Sequence, residues 1–418
     1  DKASMRIRPL KIAILSIHSC PVGKLGGKNT GGMSVYVREV ANRLGKLGHT
    51  VDIFTRVKNQ KDRVIISLGP NSRLIHLPTG GDGEIDKLAL YSYLPEFANN
   101  VENFRRNNDL HYDLIFSHYW LSGRAGQILQ QWWDVPHIVM FHTLGAIKNT
   151  FAIGEEEPGL RMETERELAQ DCSHIIAATP QEKAALIRYY GAKPEGIRVI
   201  PCGVNSEFFQ PVDKLAAKQR LGLNGDKLIL FVGRIEPLKG IEQLLRAIPL
   251  LPNTQEFRLF IIGGDEYSRY EMERLKEFAR ILRIEKTVTF LGLLKQEQLP
   301  YFYSAADVCV SPSYYESFGL VPLESLACGT PVVATNVGAA RSIIRHGTTG
   351  YVVEDNSPRH LSDKIALILA RPQFDTNSVQ SIRASISRFS WDKTTNMIIK
   401  VCQQTLIDYP TPISQEIR

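Results

Sequence analysis

Residues 10–56 begin with "LKIAILSIH" (10–18), pass through the glycine-rich "GGKNTGG" (26–32), continue as "MSVYVREVANRLGKLGH" (33–49) and end on "TVDIFTR" (50–56). The first and last pieces are short apolar runs without alternation, whereas the third repeats its apolar residues at intervals of three and four. Strand, loop, helix and strand are the expected order. A strand that is apolar on both faces suits a parallel sheet with helices on either side. The same pattern returns in "YDLIFSHY" (112–119), "VPHIVMFHT" (135–143) and "SHIIAATP" (173–180), each an apolar run ending in polar residues.

After "IRVIPCGVNSEFFQPVDK" (197–214) the series starts again. "DKLILFVGR", the helix-like "GIEQLLRAIPLL", "FRLFIIGG", a helix around "RYEMERLKEFARIL", then "VTFLG", "ADVCVSPS", "PVVATNVG" and "TGYVVE" read as a second unit of the same kind. The expected fold is α/β, with two doubly wound, Rossmann-like domains facing across a cleft. Their bounds are set at 5–205 and 206–388, and a hinge is expected at 201–212. Residues 389–418, opening "FSWDKTTNMIIKVCQQTLIDY", are expected to form a helix that packs back on the first domain. Open parallel sheets bind ligands beyond the carboxyl ends of their strands, so two facing sheets make a two-sided site.

The composition agrees with this division. A chain of 418 residues exceeds one hydrophobic core and suits two domains of about 200 residues. With 43% hydrophobic and 22% charged residues it is ordinary globular material. The net charge of +6, from 50 basic and 44 acidic residues, favours a small anionic ligand over nucleic acid. Six scattered cysteines without a Cys-x-x-Cys argue against a disulfide framework or zinc site, and so for a reducing compartment. No apolar run is long enough for an integral membrane segment, and the start "DKASMRIRPLKIAILS" lacks a signal-peptide pattern, so a cytoplasmic location is expected. The residues before Met5 are set aside from the fold.

Three motifs carry chemistry. Gly31 and Gly32 open a helix, where the glycines permit close backbone approach and the helix amino end favours an anion; a plain tight turn is the other reading. In "FVGRIEPLKG" (231–240), Arg234 and Lys239 follow a strand, and such a pair suits a diphosphate, although loop cations are often only solvated. In "SYYESFGLVPLES" (313–325), Glu316 precedes a turn at Ser317, Phe318, Gly319 and Leu320 whose amides can face a ligand. Glu324 is expected in the first turn of the following helix, either as a dipole partner or as an acceptor for ribose hydroxyls.

"NTGGMSVYV", "GRIEPLKG", "ESFGLVPLE" and "GTPVVATNVG", in this order along the chain, resemble the retaining glycosyltransferases of family 4, which have the GT-B fold. The likeness covers nearly the whole chain. It implies that Arg234 and Lys239 neutralise a leaving diphosphate with help from the amides of Gly31 and Gly32. It further implies that Glu324 holds the ribose, that Glu316 and residues 317–320 orient the sugar, and that His142 contacts the sugar near its reacting carbon. His118 is expected only to support the site. The chain has no Asp-x-Asp, in keeping with a family that needs no metal or other cofactor. In such enzymes the acceptor hydroxyl attacks on the leaving-group face and the diphosphate takes the proton. An acid and nucleophile pair of carboxylates is the competing scheme, but Glu316 and Glu324 flank one loop of one domain.

Within the family, "SHYWLSGRAG" (117–126) and "FHTLGAIKNT" (141–150) resemble the sucrose-phosphate synthases and the inositol-phosphate N-acetylglucosaminyltransferases of mycothiol synthesis. "GGDGEIDKLALYSYLPEF" (80–97) is closer to the synthases, and Ser34 stands where the inositol group usually has Asn. The resemblance implies an acceptor phosphate held by Lys87, Tyr119, Thr143 and Arg161, with Lys148 nearby. UDP-glucose is the implied donor. Many relatives pair, so a homodimer is one option. A lipid-linked or polysaccharide acceptor is a second reading, for which the tryptophans of "LQQWWD" (129–134) would be the docking residues unless they are packed. A nonenzymatic nucleotide-sugar binding protein is the alternative of another class, disfavoured by the retention of Lys239, Arg234 and His142.

Overall fold

The computed structural model describes residues 8–23, 30–59, 64–223, 225–252, 256–372 and 376–409. Most of the "GGKNTGG" loop, the residues before Met5 and the tail after 409 lie outside these. The first sheet contains β1 (Lys11–Leu15), β2 (Thr50–Arg56), β3 (Ile65–Gly69), β4 (Ser72–Leu77), β5 (Leu114–His118), β6 (His137–Met140), β7 (His174–Ala177) and β8 (Ile197–Val199). Its order is β3-β4-β2-β1-β5-β6-β7-β8. The second contains β9 (Lys227–Val232), β10 (Phe257–Ile262), β11 (Val288–Gly292), β12 (Val308–Ser311), β13 (Val332–Thr335) and β14 (Gly350–Val353), in the order β11-β10-β9-β12-β13-β14. Both are Rossmann-like, with helices covering both faces.

The non-alternating runs behave as their composition requires. Strands β5, β6, β7, β12 and β13 are buried at every residue. The chain order reverses between β1 and β5 in one sheet and between β9 and β12 in the other, which opens a crevice at the carboxyl ends of those strands. One feature departs from the expectation of a wholly parallel sheet. Strand β3 pairs antiparallel with β4 through a turn at Gly69–Asn71. It is a half-exposed edge strand, so it lacks the continuous apolar run that marks the buried strands.

The final helix, Trp391–Asp408, lies against the helix Gly32–Lys46 of the first domain. Arg43 Nε bonds Asp392 Oδ1 at 2.9 Å, Thr394 Oγ1 donates to the Pro201 carbonyl at 2.8 Å, and the Tyr36 and Trp391 rings meet edge-on at 5.5 Å. The two interdomain passages touch where Val204 N donates to the Phe389 carbonyl at 3.2 Å. No helix among the described residues is long and apolar enough to cross a membrane.

Candidate active site

The loops at the carboxyl ends of both sheets meet around a cavity of about 280 Å³. From the first domain it is lined by Gly31, Gly32, Lys87, Tyr119, His142, Thr143 and Lys148, and from the second by Arg234, Lys239, Glu316, Ser317, Phe318, Gly319, Leu320 and Glu324. Every residue singled out for the site borders this space except Arg161 and the supporting His118.

The donor-side motifs are built on β9 and β12. Arg234 Nη2 pairs with Glu236 Oε1 at 2.9 Å, and Lys239 Nζ with Glu316 Oε1 at 2.5 Å. The same Glu316 oxygen accepts a hydrogen bond from Ser313 Oγ at 2.9 Å, so its carboxylate is fixed from two sides. Gly319, at φ +100°, ends the turn and starts the helix Leu320–Ala327; a side chain there would be strained. Because this helix begins at Leu320, Glu324 lies in its second turn, one turn later than expected from sequence. That shift takes it away from the helix end and into the cleft floor. It is 9% exposed, and Tyr303 donates to its Oε2 at 2.6 Å. Burial lifts the Glu324 carboxyl to about 7, with the Tyr303 hydrogen bond opposing.

On the acceptor side, positioning starts at Arg56. This buried guanidinium donates to the carbonyls of Thr79 (2.7 Å), Gly83 (2.8 Å) and Gly81 (2.6 Å), which gathers the "GGDG" loop under it. Asp86 then caps the short helix Lys87–Tyr91 by accepting from Leu88 N at 2.8 Å. Lys87 is delivered with its Nζ 5.3 Å from the centre of the Tyr119 ring. Among the described residues no carboxylate forms an ion pair with it. Burial, then Arg234 and Arg161, lower its pKa to about 8.

Arg161 is placed differently from the expectation of a direct ligand contact. Its side chain is fully buried, pairs with Glu165 at 2.7 Å and Glu157 at 2.8 Å, and lies 4.8 Å from the Tyr119 ring centre. It also donates to Thr143 Oγ1 at 2.9 Å and the Thr143 carbonyl at 3.0 Å. Arg161 therefore supports two lining residues from behind. Lys148 faces the cleft with Glu157 as its ion partner. Tyr119 and His142 follow β5 and β6 with φ of +78° and +63°, unusual for residues with a Cβ and common where side chains must be aimed. His142 Nε2 lies 2.8 Å from His118 Nδ1. Burial lowers the pKa of His142 to about 3 and that of His118 well below its ordinary value.

Sequence reading passed over three lining residues. Glu236 sits inside the quoted "GRIEPLKG"; against the upward push of burial, Arg234, Lys239, Lys148 and Lys87 hold its carboxyl below the ordinary value. His18 ends the quoted "LKIAILSIH" and packs 4.4 Å from Tyr119. Both occupy strand-end positions, the signal that found Arg234 and His142. Tyr315 bridges the domains, its hydroxyl accepting from Leu144 N at 3.2 Å, and Arg38 Nη2 reaches across to Gln296 Oε1 at 2.9 Å. Of the tryptophan pair, Trp133 is packed, stacking on Tyr112 and donating to Glu102 at 2.6 Å, while Trp132 is 48% exposed.

Two Rossmann-like domains closing on a cleft of cations and carboxylates define a GT-B glycosyltransferase. Residues 30–208 match the family model "Glycosyltransferase Family 4", and residues 213–384 match "Glycosyl transferases group 1". The chain is 36% identical to a D-inositol 3-phosphate glycosyltransferase of Acidothermus cellulolyticus, over 98% of this chain and 93% of that one. It is 37% identical to D-inositol 3-phosphate glycosyltransferase 2 of Catenulispora acidiphila, over 97% of each. The solved sucrose-phosphate synthase of Thermosynechococcus elongatus superposes with a TM-score of 0.87 at 32% identity, covering 95% of this chain and 99% of that one. The chain belongs to the glycosyltransferases of family 4 and is a glycosyltransferase.

Proposed function

We propose that this glycosyltransferase moves a hexosyl group, glucose from UDP-glucose, onto a phosphorylated sugar in the manner of a sucrose-phosphate synthase, with retained configuration and no metal ion. The observation that carries the acceptor class is Lys87, a cation in the cleft wall set over Tyr119 beside Thr143 without a carboxylate partner among the described residues. Such a cation is suited to a phosphate monoester. Arg234 and Lys239, which follow β9 and line the cleft together with Gly31 and Gly32, take charge developing on the diphosphate, with the amides of the two glycines assisting. Glu324 accepts from the ribose hydroxyls. Glu316 and the amides of residues 317–320 hold the sugar, and His142 lies against it from the other domain.

Closure brings the halves together and keeps water from the donor. The Tyr315–Leu144 and Arg38–Gln296 hydrogen bonds already join the two domains across the cleft. The acceptor hydroxyl attacks from the leaving-group face, and the departing diphosphate receives its proton. An inositol phosphate acceptor, paired with an N-acetylglucosaminyl donor by the resemblance noted in the sequence, is the second reading; relatives at 36–37% identity named D-inositol 3-phosphate glycosyltransferase favour its acceptor. A cytoplasmic location is part of this reading. Proton NMR of the product made in excess chelator tests the reaction class. The anomeric coupling of the donor should be preserved at an undiminished rate; inversion, or loss of turnover with the chelator, would contradict it.

A further inference from the structure

We propose that His118 is a positioning residue that fixes the tautomer of His142, so that His142 offers the cleft a neutral Nδ1–H donor and has no free lone pair to act as a base. The 2.8 Å contact joins His118 Nδ1 to His142 Nε2, and one of these nitrogens must carry the shared proton. If His142 donated, His118 would carry its own proton on Nε2. That atom is fully buried and has no hydrogen-bond partner among the described residues. A buried N–H without an acceptor is among the rarest and costliest defects in a folded chain. If His118 donates instead, its Nε2 is only an unused lone pair.

The rings cannot easily exchange these roles. His118 sits against Phe116, with ring centres 4.2 Å apart, and Tyr36 packs on both histidines, 5.6 Å from His118 and edge-on at 5.2 Å from His142. Tyr36 is itself held by Trp391. The left-handed backbone at His142 further commits its ring to one direction. Burial keeps both rings neutral, so a single proton position decides the function. With Nε2 occupied by His118, the nitrogen left for a ligand is Nδ1, and it carries hydrogen. His142 then donates to a hydroxyl or ring oxygen of the bound sugar and takes no proton from the acceptor. This rests on the reading that the cleft holds a sugar donor; the tautomer itself does not.

The test is the nitrogen spectrum of the whole enzyme labelled with 15N-histidine, the His142 signals being assigned by their loss in His142→Ala. The expected result is a protonated shift at Nδ1 and an unprotonated shift at Nε2; the reverse assignment would overturn the proposal. A kinetic arm follows. His118→Leu should lower kcat by about 10- to 100-fold, the range for partners that orient a working histidine. His118→Asn, whose amide can donate from the same place, should recover most of that loss, and equal damage by both variants would count against a donor role. The expected tautomer in an enzyme that transfers no sugar would sink the functional reading alone.

Discussion

Lys239 Nζ and Glu316 Oε1 are 2.5 Å apart, so the cation at the end of β9 and the carboxylate after β12 hold one another across the donor side of the cleft. In the proposed reaction Lys239 would face the diphosphate and Glu316 the sugar, so a single ion pair would keep both in register. Lys239→Ala should lower kcat by about 10²- to 10³-fold, the range seen when one donor to a developing anion is removed. Stability should fall by only about 1–2 kcal/mol, between the values for exposed and buried pairs. Steady-state kinetics and a urea titration check the two numbers. Near-normal turnover would remove Lys239 from the reaction.

Glu324 makes a prediction in which affinity and stability part company. Its carboxyl is lifted from 4.5 to about 7, chiefly by burial. Between those values the folded protein keeps a proton that the unfolded chain releases, so stability falls as pH rises through the window and is flat above it. Glu182 is lifted to about 7 as well, so the comparison must be between wild type and variant. Glu324→Gln should gain on the wild type in urea between pH 5 and 7.5, while its KM for the nucleotide donor rises by about 10- to 100-fold, as for a lost hydrogen bond to a charged group. A constant difference with pH would show that Glu324 titrates normally.

Lys87 should govern acceptor affinity. Since its pKa is lowered to about 8, kcat/KM for a phosphorylated acceptor should decline as pH rises through that value. Lys87→Met should abolish the decline and raise the acceptor KM by about 10- to 100-fold, with donor KM unchanged. Arg56→Ala should do the same from a distance, because it releases the loop that carries Lys87. Initial rates over a grid of both substrates and of pH decide this; a change confined to donor KM would contradict it.

Arg161 should behave as a structural cation. Its removal leaves Glu165 and Glu157 without their buried partner, and Arg161→Ala should cost about 3–5 kcal/mol by chemical denaturation. Lys87→Met, which breaks no ion pair among the described residues, should cost little. Equal stability of the two variants would mean that the buried cluster at Arg161 is not as drawn.

Much of the fold was legible because its inner strands are buried on both faces and so leave apolar runs such as "DLIFSH" and "DVCVS" in the sequence. Strand β3 left no such run, since it is a half-exposed edge. Residues at strand ends, Arg234 and His142 among them, could be picked out because the topology aims strand ends at the cleft. Glu236 and His18 occupy the same kind of position, inside quoted motifs, yet were not singled out. What sequence could not show is partnership. Arg161 and Lys87 look alike as basic residues, yet one is enclosed by two carboxylates and the other stands over a tyrosine ring. The pairing of His118 with His142 likewise depends on β5 and β6 lying side by side.

The central claim is that the cleft joins a nucleotide-bound hexose to a phosphorylated acceptor. Its most direct test is a donor-by-acceptor screen read by mass spectrometry, with UDP-glucose and UDP-N-acetylglucosamine against fructose 6-phosphate, inositol phosphates, their unphosphorylated forms and lipid-linked acceptors. The expected result is a product one hexosyl unit heavier than a phosphorylated acceptor, with UDP-glucose and fructose 6-phosphate the leading pair. Products from neutral sugars or lipids, with every phosphorylated acceptor inert, would contradict it.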